Sequence, residues 1–172
     1  MRSTKRLPLF IVSGASGVGK STLCEILFQR ERDYIVLESD ILWHDVYNTP
    51  EDDYRRYRQT QMTLCANVAQ IGMPVVLCGC ATPKQFEPLA QREFFTDIHY
   101  LSIVCDEEQL RRQLRKGRKI KDKAWLESSL QFNAWLKENA ARTAPPMHLL
   151  DITGLSPEET AVRADAWIRA RL

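Results

Sequence analysis

Residues 14–22 read GASGVGKST. The stretch fits G-x-x-x-x-G-K-[ST], with Gly14, Gly19, Lys20 and Ser21 in the fixed places. Leu9, Phe10, Ile11, Val12 and Ser13 precede it, a run of β-branched and large apolar side chains that predicts a strand. Leu23, Ile26 and Leu27 follow at i, i+3 and i+4, one face of a helix. Strand, glycine loop and helix in that order are what a phosphate cradle requires. Glycines at 14, 17 and 19 let the backbone turn through positive φ and come close to an anion. The backbone N–H groups from Gly14 through Ala15, Ser16, Gly17, Val18 and Gly19 to Thr22 then face the phosphates, aided by the helix N-terminus. Lys20 is placed to reach the β- and γ-phosphates, and the Ser21 hydroxyl to ligate Mg²⁺.

The chain has 172 residues, which predicts a single domain over 1–172 with room for a core. A net charge of +2 gives no global pull towards nucleic acid or a membrane surface. The apolar runs are far too short to span a bilayer. The basic head and apolar run of MRSTKRLPLFIVSG flow straight into the glycine loop, so they read as a first strand, not a leader. Five cysteines, an odd number, suit reduced thiols in a cytoplasmic protein. Cys78 and Cys80 form C-x-C, which in a strand points both at one face and suits small core residues.

Strands and helices alternate along the rest of the chain. Strands are expected at 34–37, 74–79, 98–104 and 147–152. Thr49-Pro50-Glu51-Asp52 reads as a helix start with Thr49 as N-cap, and Tyr54, Tyr57, Leu64, Cys65, Val68 and Ile71 mark its apolar stripe. Thr82, Asp106, Asp122 and Ser156 open further helices, the third with Trp125, Ser129, Phe132 and Leu136 along one side. The alternation predicts an α/β fold, a five-stranded parallel sheet with helices on both faces.

Glu38 and Asp40 end the second strand, and ligands of open α/β sheets bind beyond the carboxyl ends of strands. Their i, i+2 spacing puts both on one face if the strand stays regular. Asp40 is expected to close a strand next to the phosphate loop in the sheet, where it could take a proton from an attacking hydroxyl or hold Mg²⁺ through water. Its other reading is a helix cap.

The glycine loop, the E-x-D after strand two, the basic segment after strand four and the closing LLDITGLSPEET resemble the small P-loop kinases. That group takes in the shikimate kinase, gluconate kinase, chloramphenicol phosphotransferase and adenylate kinase-like enzymes. The resemblance in layout covers nearly the whole chain, and the glycine loop is its specific motif. It implies ATP and Mg²⁺ as cofactors, with Lys20 and Asp40 as catalytic residues and Ser21, Asp40 and Glu38 as metal ligands. It also implies a basic lid, about 111–123, in which Arg115 and Arg118 flank Gly117 and close over the phosphates. An acceptor-binding insert, about 41–73, offers Arg55 and Arg58 for an anionic substrate, and Gly79 allows close substrate approach. Asp151 and Thr153 would lie beside the adenine. His44 in the insert is a structural residue or a base.

The expected activity is transfer of the γ-phosphate of ATP to a hydroxyl of a small molecule such as a nucleoside, sugar or antibiotic. Alternatives are a nucleoside monophosphate kinase and a nucleotide-binding module without kinase activity. A GTP switch is disfavoured because N/T-K-x-D is absent, and a motor-type ATPase because strand three ends Cys78-Gly79-Cys80. The partner expected is the small-molecule acceptor, with no nucleic acid and no membrane, on a monomer or homodimer.

Overall fold

The computed structural model describes residues 6–30, 33–117 and 121–172. Five strands, β1 (Leu7–Ser13), β2 (Ile35–Glu38), β3 (Val75–Cys78), β4 (Phe95–Val104) and β5 (His148–Asp151), form one sheet in the order β2-β3-β1-β4-β5. Every pairing is parallel. The helices are α1 (Lys20–Arg30), α2 (Arg55–Ala69), α3 (Pro83–Phe86), α4 (Glu107–Arg112), α5 (Lys123–Asn139) and α6 (Pro157–Arg169).

Side-chain alternation sends each strand's residues to two cores. Phe10, Val12, Val76, Cys78, Leu101 and Ile103 pack with Leu23 and Leu27 of α1, Leu110 of α4 and Ile168 of α6. Leu9, Ile11, Val75, Leu77, Ile98 and Tyr100 pack with Met62 and Cys65 of α2 and Phe86 of α3. Helix α5 reaches both, with Leu130 in the first core and Leu136 in the second. The expected architecture, helices on both faces of a five-stranded parallel sheet, is the one found.

Sheet order corrects one expectation. β3 stands between β1 and β2, so Asp40 does not follow a strand next to the glycine loop. The sequence shows which segments are strands, but not which of them pair.

The start of α2 corrects another. The Thr49 hydroxyl donates to Asp52 Oδ1 (2.7 Å) instead of capping a helix, and Pro50–Asp52 makes a single 3₁₀ turn. Asp53 and Tyr54 then take left-handed backbone, φ 59° and 60°. Helix α2 begins only at Arg55, whose N–H donates to Asp52 Oδ1 (3.2 Å). Its buried face is Tyr57, Arg58, Gln61, Met62 and Cys65, while Ile71, expected in the stripe, is 65% exposed. Two polar side chains outside the expected stripe, Arg58 and Gln61, thus share the buried face. On α5 the expected stripe also divides, since Ser129 and Leu136 are buried but Trp125 is open.

The carboxyl ends of β2 and β3 meet closely at Gly79. Its N–H donates to Val12 O (3.0 Å), and a Cβ there would strike Ser39 Oγ and lie 2.9 Å from Ser39 Cβ. Ser39 is buried, and its carbonyl accepts from the Tyr57 hydroxyl (2.7 Å), so it has little room to withdraw. Gly79→Ala is expected to destabilise the fold by about 1–3 kcal/mol, measured by urea unfolding. An unchanged midpoint would mean that Ser39 gives way.

Candidate active site

The central strand delivers Ser13 to the middle of the sheet's carboxyl edge. Its buried hydroxyl donates to Ala81 O (2.5 Å) and accepts from Ala81 N–H (3.1 Å), tying the glycine loop to the turn after β3. Gly17 and Gly19 hold φ of 80° and 113°, which side chains with a Cβ seldom adopt. The Val18 N–H closes the turn onto Ala15 O (3.3 Å). Lys20, in the first turn of α1, is 9% exposed, and its ammonium donates to Gly14 O (2.9 Å) and Ala15 O (2.8 Å). Half-buried Ser21 and exposed Thr22 follow at the helix N-terminus. Turned amides, a helix N-terminus, a folded-back lysine and a hydroxyl make a donor set that fits a triphosphate with its Mg²⁺. Among the described residues no group of three His, Cys, Asp or Glu side chains forms a metal cage. A metal here would rest on the Ser21 hydroxyl, phosphate oxygens and water.

Beside the loop, a 110 Å³ cleft lies between Val18, Gly19, Gln109, Gln113, Ile152 and Leu155. Asp151 and Thr153 do not line it. The Thr153 hydroxyl and N–H donate to Asp151 Oδ1 (2.6 and 2.9 Å), and the Thr153 hydroxyl accepts from Asp106 N–H (2.9 Å). Burial raises the Asp151 pKa, but the two Thr153 hydrogen bonds outweigh it and hold the carboxyl below its ordinary value. The pair shapes the loop, and its neighbours Ile152 and Leu155 supply the cleft wall. Gln109 Oε1 accepts from Gly154 N–H (3.0 Å), whereas Gln113 Oε1 is buried with no partner among the described residues.

Gln113–Gly117 is a π-helical turn that continues α4 into the basic segment. Leu114 is fully buried against Gly17, where a Cβ would collide with it. Arg115 is exposed on that turn, and Arg111 pairs with Glu107 (2.7 Å). Arg118 lies outside the described residues.

On the other side of the loop a cavity of about 930 Å³ begins at Ser16 and runs past Asp53, Tyr54, Arg58 and Cys80 to α5. Arg58 is 7% exposed. It donates from Nη2 to Cys80 O (2.8 Å) and from Nη1 to Gln61 Oε1 (3.2 Å), while its buried Nε has no partner among the described residues. Its guanidinium lies over the Tyr57 and Phe86 rings, 5.3 and 5.5 Å from their centroids. No carboxylate forms an ion pair with it among the described residues. Burial lowers its pKa, though the group stays a cation at neutral pH. A buried cation without a counter-ion is costly, and an anionic ligand offsets that cost. The left-handed pair Asp53-Tyr54 is held at the rim, where Asp53 accepts from Gln85 Nε2 (2.9 Å) and pairs with Lys84 (3.4 Å).

The remaining candidates lie elsewhere. Asp40 is exposed in the 3₁₀ turn Ser39–Leu42, with the Ser39 hydroxyl 3.4 Å from its Oδ1. Glu38 is the last residue of β2 and lines a cleft with Cys24 and Phe28 of α1. The two carboxylates therefore do not share a strand face, because the strand ends between them. Arg55 is exposed on the first turn of α2, Gly79 faces Ser39, and neither lines the cavity. His44 Nδ1 accepts from Val46 N–H (3.2 Å), a turn contact. Cys78 and Cys80 do not share a face either, since β3 ends at Cys78 and the Cys80 thiol donates to Gly14 O (3.1 Å). Sequence reading missed Ser16 as a cavity wall, Cys80, Asp53, Gln85 and the open face of α5. The signal available was polar Arg58 and Gln61 on an apolar helix face.

A parallel sheet in this order, with a glycine loop leaving its central strand and an acidic turn after β2, is the fold of the small P-loop kinases. The family model for the AAA domain matches residues 11–135, and the chain belongs to that family. No curated protein matches it. Among solved structures, a gluconokinase from Sinorhizobium meliloti 1021 aligns with TM-score 0.68 and 19% identity over 94% of this chain and 92% of its own. A sugar kinase from Janibacter sp. HTCC2649 aligns with TM-score 0.69 and 18% identity over 96% and 95%. A shikimate kinase from Bacteroides thetaiotaomicron aligns with TM-score 0.55 and 15% identity over 95% and 98%. At such identities the likeness is one of fold. No helix among the described residues is long and apolar enough to cross a membrane.

The cysteines probe the loop. Cys24, Cys65, Cys78 and Cys105 are buried, and burial pushes the Cys65 thiol up to about 12 and Cys105 to about 11. Cys80 alone of the five is partly open. Iodoacetamide at pH 8 is expected to alkylate Cys80 first, and ATP with Mg²⁺ to slow that reaction, as read by peptide mass spectrometry. Labelling led by Cys65 or Cys105 would contradict the packing described.

Proposed function

We propose that the protein is an ATP-dependent phosphotransferase that moves the γ-phosphate to a hydroxyl of a small anionic molecule. One observation carries this reading: Arg58, buried and without a carboxylate partner among the described residues, lines the same cavity as Ser16 of the glycine loop. The fold is shared with proteins named for gluconate, sugar and shikimate acceptors.

In this reading Lys20 leaves the Gly14 and Ala15 carbonyls and bonds the β- and γ-phosphates. The amides of Ala15 to Thr22 hold the remaining phosphate oxygens. Bound Mg²⁺ would neutralise developing charge, with the Ser21 hydroxyl as its protein ligand and Glu38 or Asp40 reached through water. The purine would enter the cleft between Val18, Gln113 and Leu155. Arg58 fixes the acceptor's anionic group by charge-assisted hydrogen bonds. Asp40 takes the proton of the attacking hydroxyl. It stands one residue from Ser39, whose carbonyl accepts from Tyr57, and the Tyr57 ring lies under Arg58. Burial raises the Tyr57 pKa and the Asp40 charge adds to the rise, as expected of neighbours. Arg115, exposed on the π-helical turn, supplies charge to the phosphates at the transition state.

Two substitutions separate these roles. Asp40→Asn keeps the side chain's shape and removes its basicity. It is expected to lower kcat by about 10²–10⁴-fold while leaving ATP affinity by calorimetry nearly unchanged. A near wild-type kcat would return Asp40 to a structural role. Arg58→Met is expected to raise the acceptor KM about ten- to a hundredfold with a smaller change in kcat. Acceptor-dependent ADP release over a panel of hydroxy acids, sugars, nucleosides and nucleoside monophosphates supplies the assay. Turnover of monophosphates alone would replace the hydroxyl acceptor by a phosphate one.

A further inference from the structure

Helix α5 has two distinct working faces. One is set into the fold: Leu130 and Leu136 are buried, and Asn133 bonds both backbone groups of Cys105, accepting from its N–H (3.3 Å) and donating to its carbonyl (2.8 Å). The other carries Trp125, Ser128, Phe132 and Trp135, spaced so that they share a side of the helix, and it lines the 930 Å³ cavity. Trp125 is 48% and Trp135 40% exposed there. The Phe132 and Trp135 rings lie nearly parallel, 12° between planes and 6.2 Å between centroids. Open indoles inside a cavity are large apolar surfaces that folding leaves unburied.

The chemistry of the wall limits what fills it. Hydroxyls and an anionic group are served by hydrogen-bond donors such as Arg58, and gain little from an indole face. A flat aromatic ring gains both area and ring–ring geometry from it. The cavity volume is also near the upper end of the range for drug-sized ligands, well above what a six-carbon acid needs. We infer that the acceptor carries a planar aromatic ring beside its hydroxyl and anionic groups, and that Trp125 and Trp135 hold this ring. The inference rests on the kinase reading only in naming the ligand an acceptor; binding of the ring stands or falls separately.

Glucuronate and phenyl β-glucuronide offer the same carboxylate and ring hydroxyls and differ by the phenyl group. Titration calorimetry of each, with ADP and Mg²⁺ present so that no turnover occurs, reads the ring alone. The phenyl compound is expected to bind the wild-type protein about tenfold more tightly. Trp135→Ala and Trp125→Ala each shrink that ratio, the double substitution abolishes it, and Trp135→Phe retains most of it. Both side chains are open to solvent, so unfolding midpoints of the variants should stay near wild type. Equal wild-type affinities, a ratio that survives the double substitution, or no heat from either compound overturns the inference. Turnover then separates the two readings. Ring-dependent binding with no acceptor phosphorylated anywhere in the panel removes the kinase and keeps the ring subsite. Efficient phosphorylation of ring-free acceptors, indifferent to Trp125 and Trp135, removes the subsite and keeps the kinase.

Discussion

The reciprocal hydrogen bonds between the Ser13 hydroxyl and the Ala81 backbone join the two halves of the site. Ser13 ends the strand that launches the glycine loop. Ala81 sits in the turn that launches the cavity wall. One residue earlier, Cys80 reaches both ways, its thiol to Gly14 O and its carbonyl to the Arg58 guanidinium. A parallel sheet brings the carboxyl ends of β1 and β3 side by side, and this bonding converts that neighbourhood into fixed geometry. The Ser13–Ala81 bonds are buried, where hydrogen bonds are strong and unpaired groups costly, and those of Cys80 are part-buried.

Two cations illustrate how that geometry is used. Lys20 is folded onto carbonyls of its own loop, so its charge is partly satisfied before any ligand arrives. In the proposed function, a phosphate would exchange these bonds for stronger ones. Arg58 has aromatic faces, one carbonyl and one amide oxygen, which leave its charge less well matched. A lysine on a flexible stem can move between partners, whereas a guanidinium wedged between Tyr57 and Phe86 is set in place. The first suits a group that follows a reacting phosphate. The second suits a fixed anchor.

Much of the fold could be read from periodicity and punctuation. The strand before Gly14, the helix after Lys20, and the caps at Asp106, Asp122 and Ser156 are local signals, and local chemistry decides them. Sheet order is not local, which is why β3 could not be seen to separate β2 from the loop. Thr49 misled because its hydroxyl had a nearer partner in the Asp52 side chain, an outcome that residue types alone do not reveal. In the site, the glycine loop was legible as a motif. The large cavity was not, because it gathers single residues from α2, the β3 turn, α3 and α5. Trp125 falls on one stripe with Ser129, Phe132 and Leu136, yet it is open, because a stripe towards a cavity has nearly the same spacing as a stripe towards a core.

The division of labour within α5 bears on how such a protein changes over generations. Residues 130, 133 and 136 tie the helix to the sheet, while 125, 128, 132 and 135 border the cavity. Phe132 also packs against both cores, but substitutions at the exposed positions 125, 128 and 135 alter the wall without touching the buried side, so the stability threshold that halts most drift is not crossed there. The ligand preference of this scaffold can therefore diverge by single steps along one helix, with Ser13, Ala81 and Lys20 left untouched.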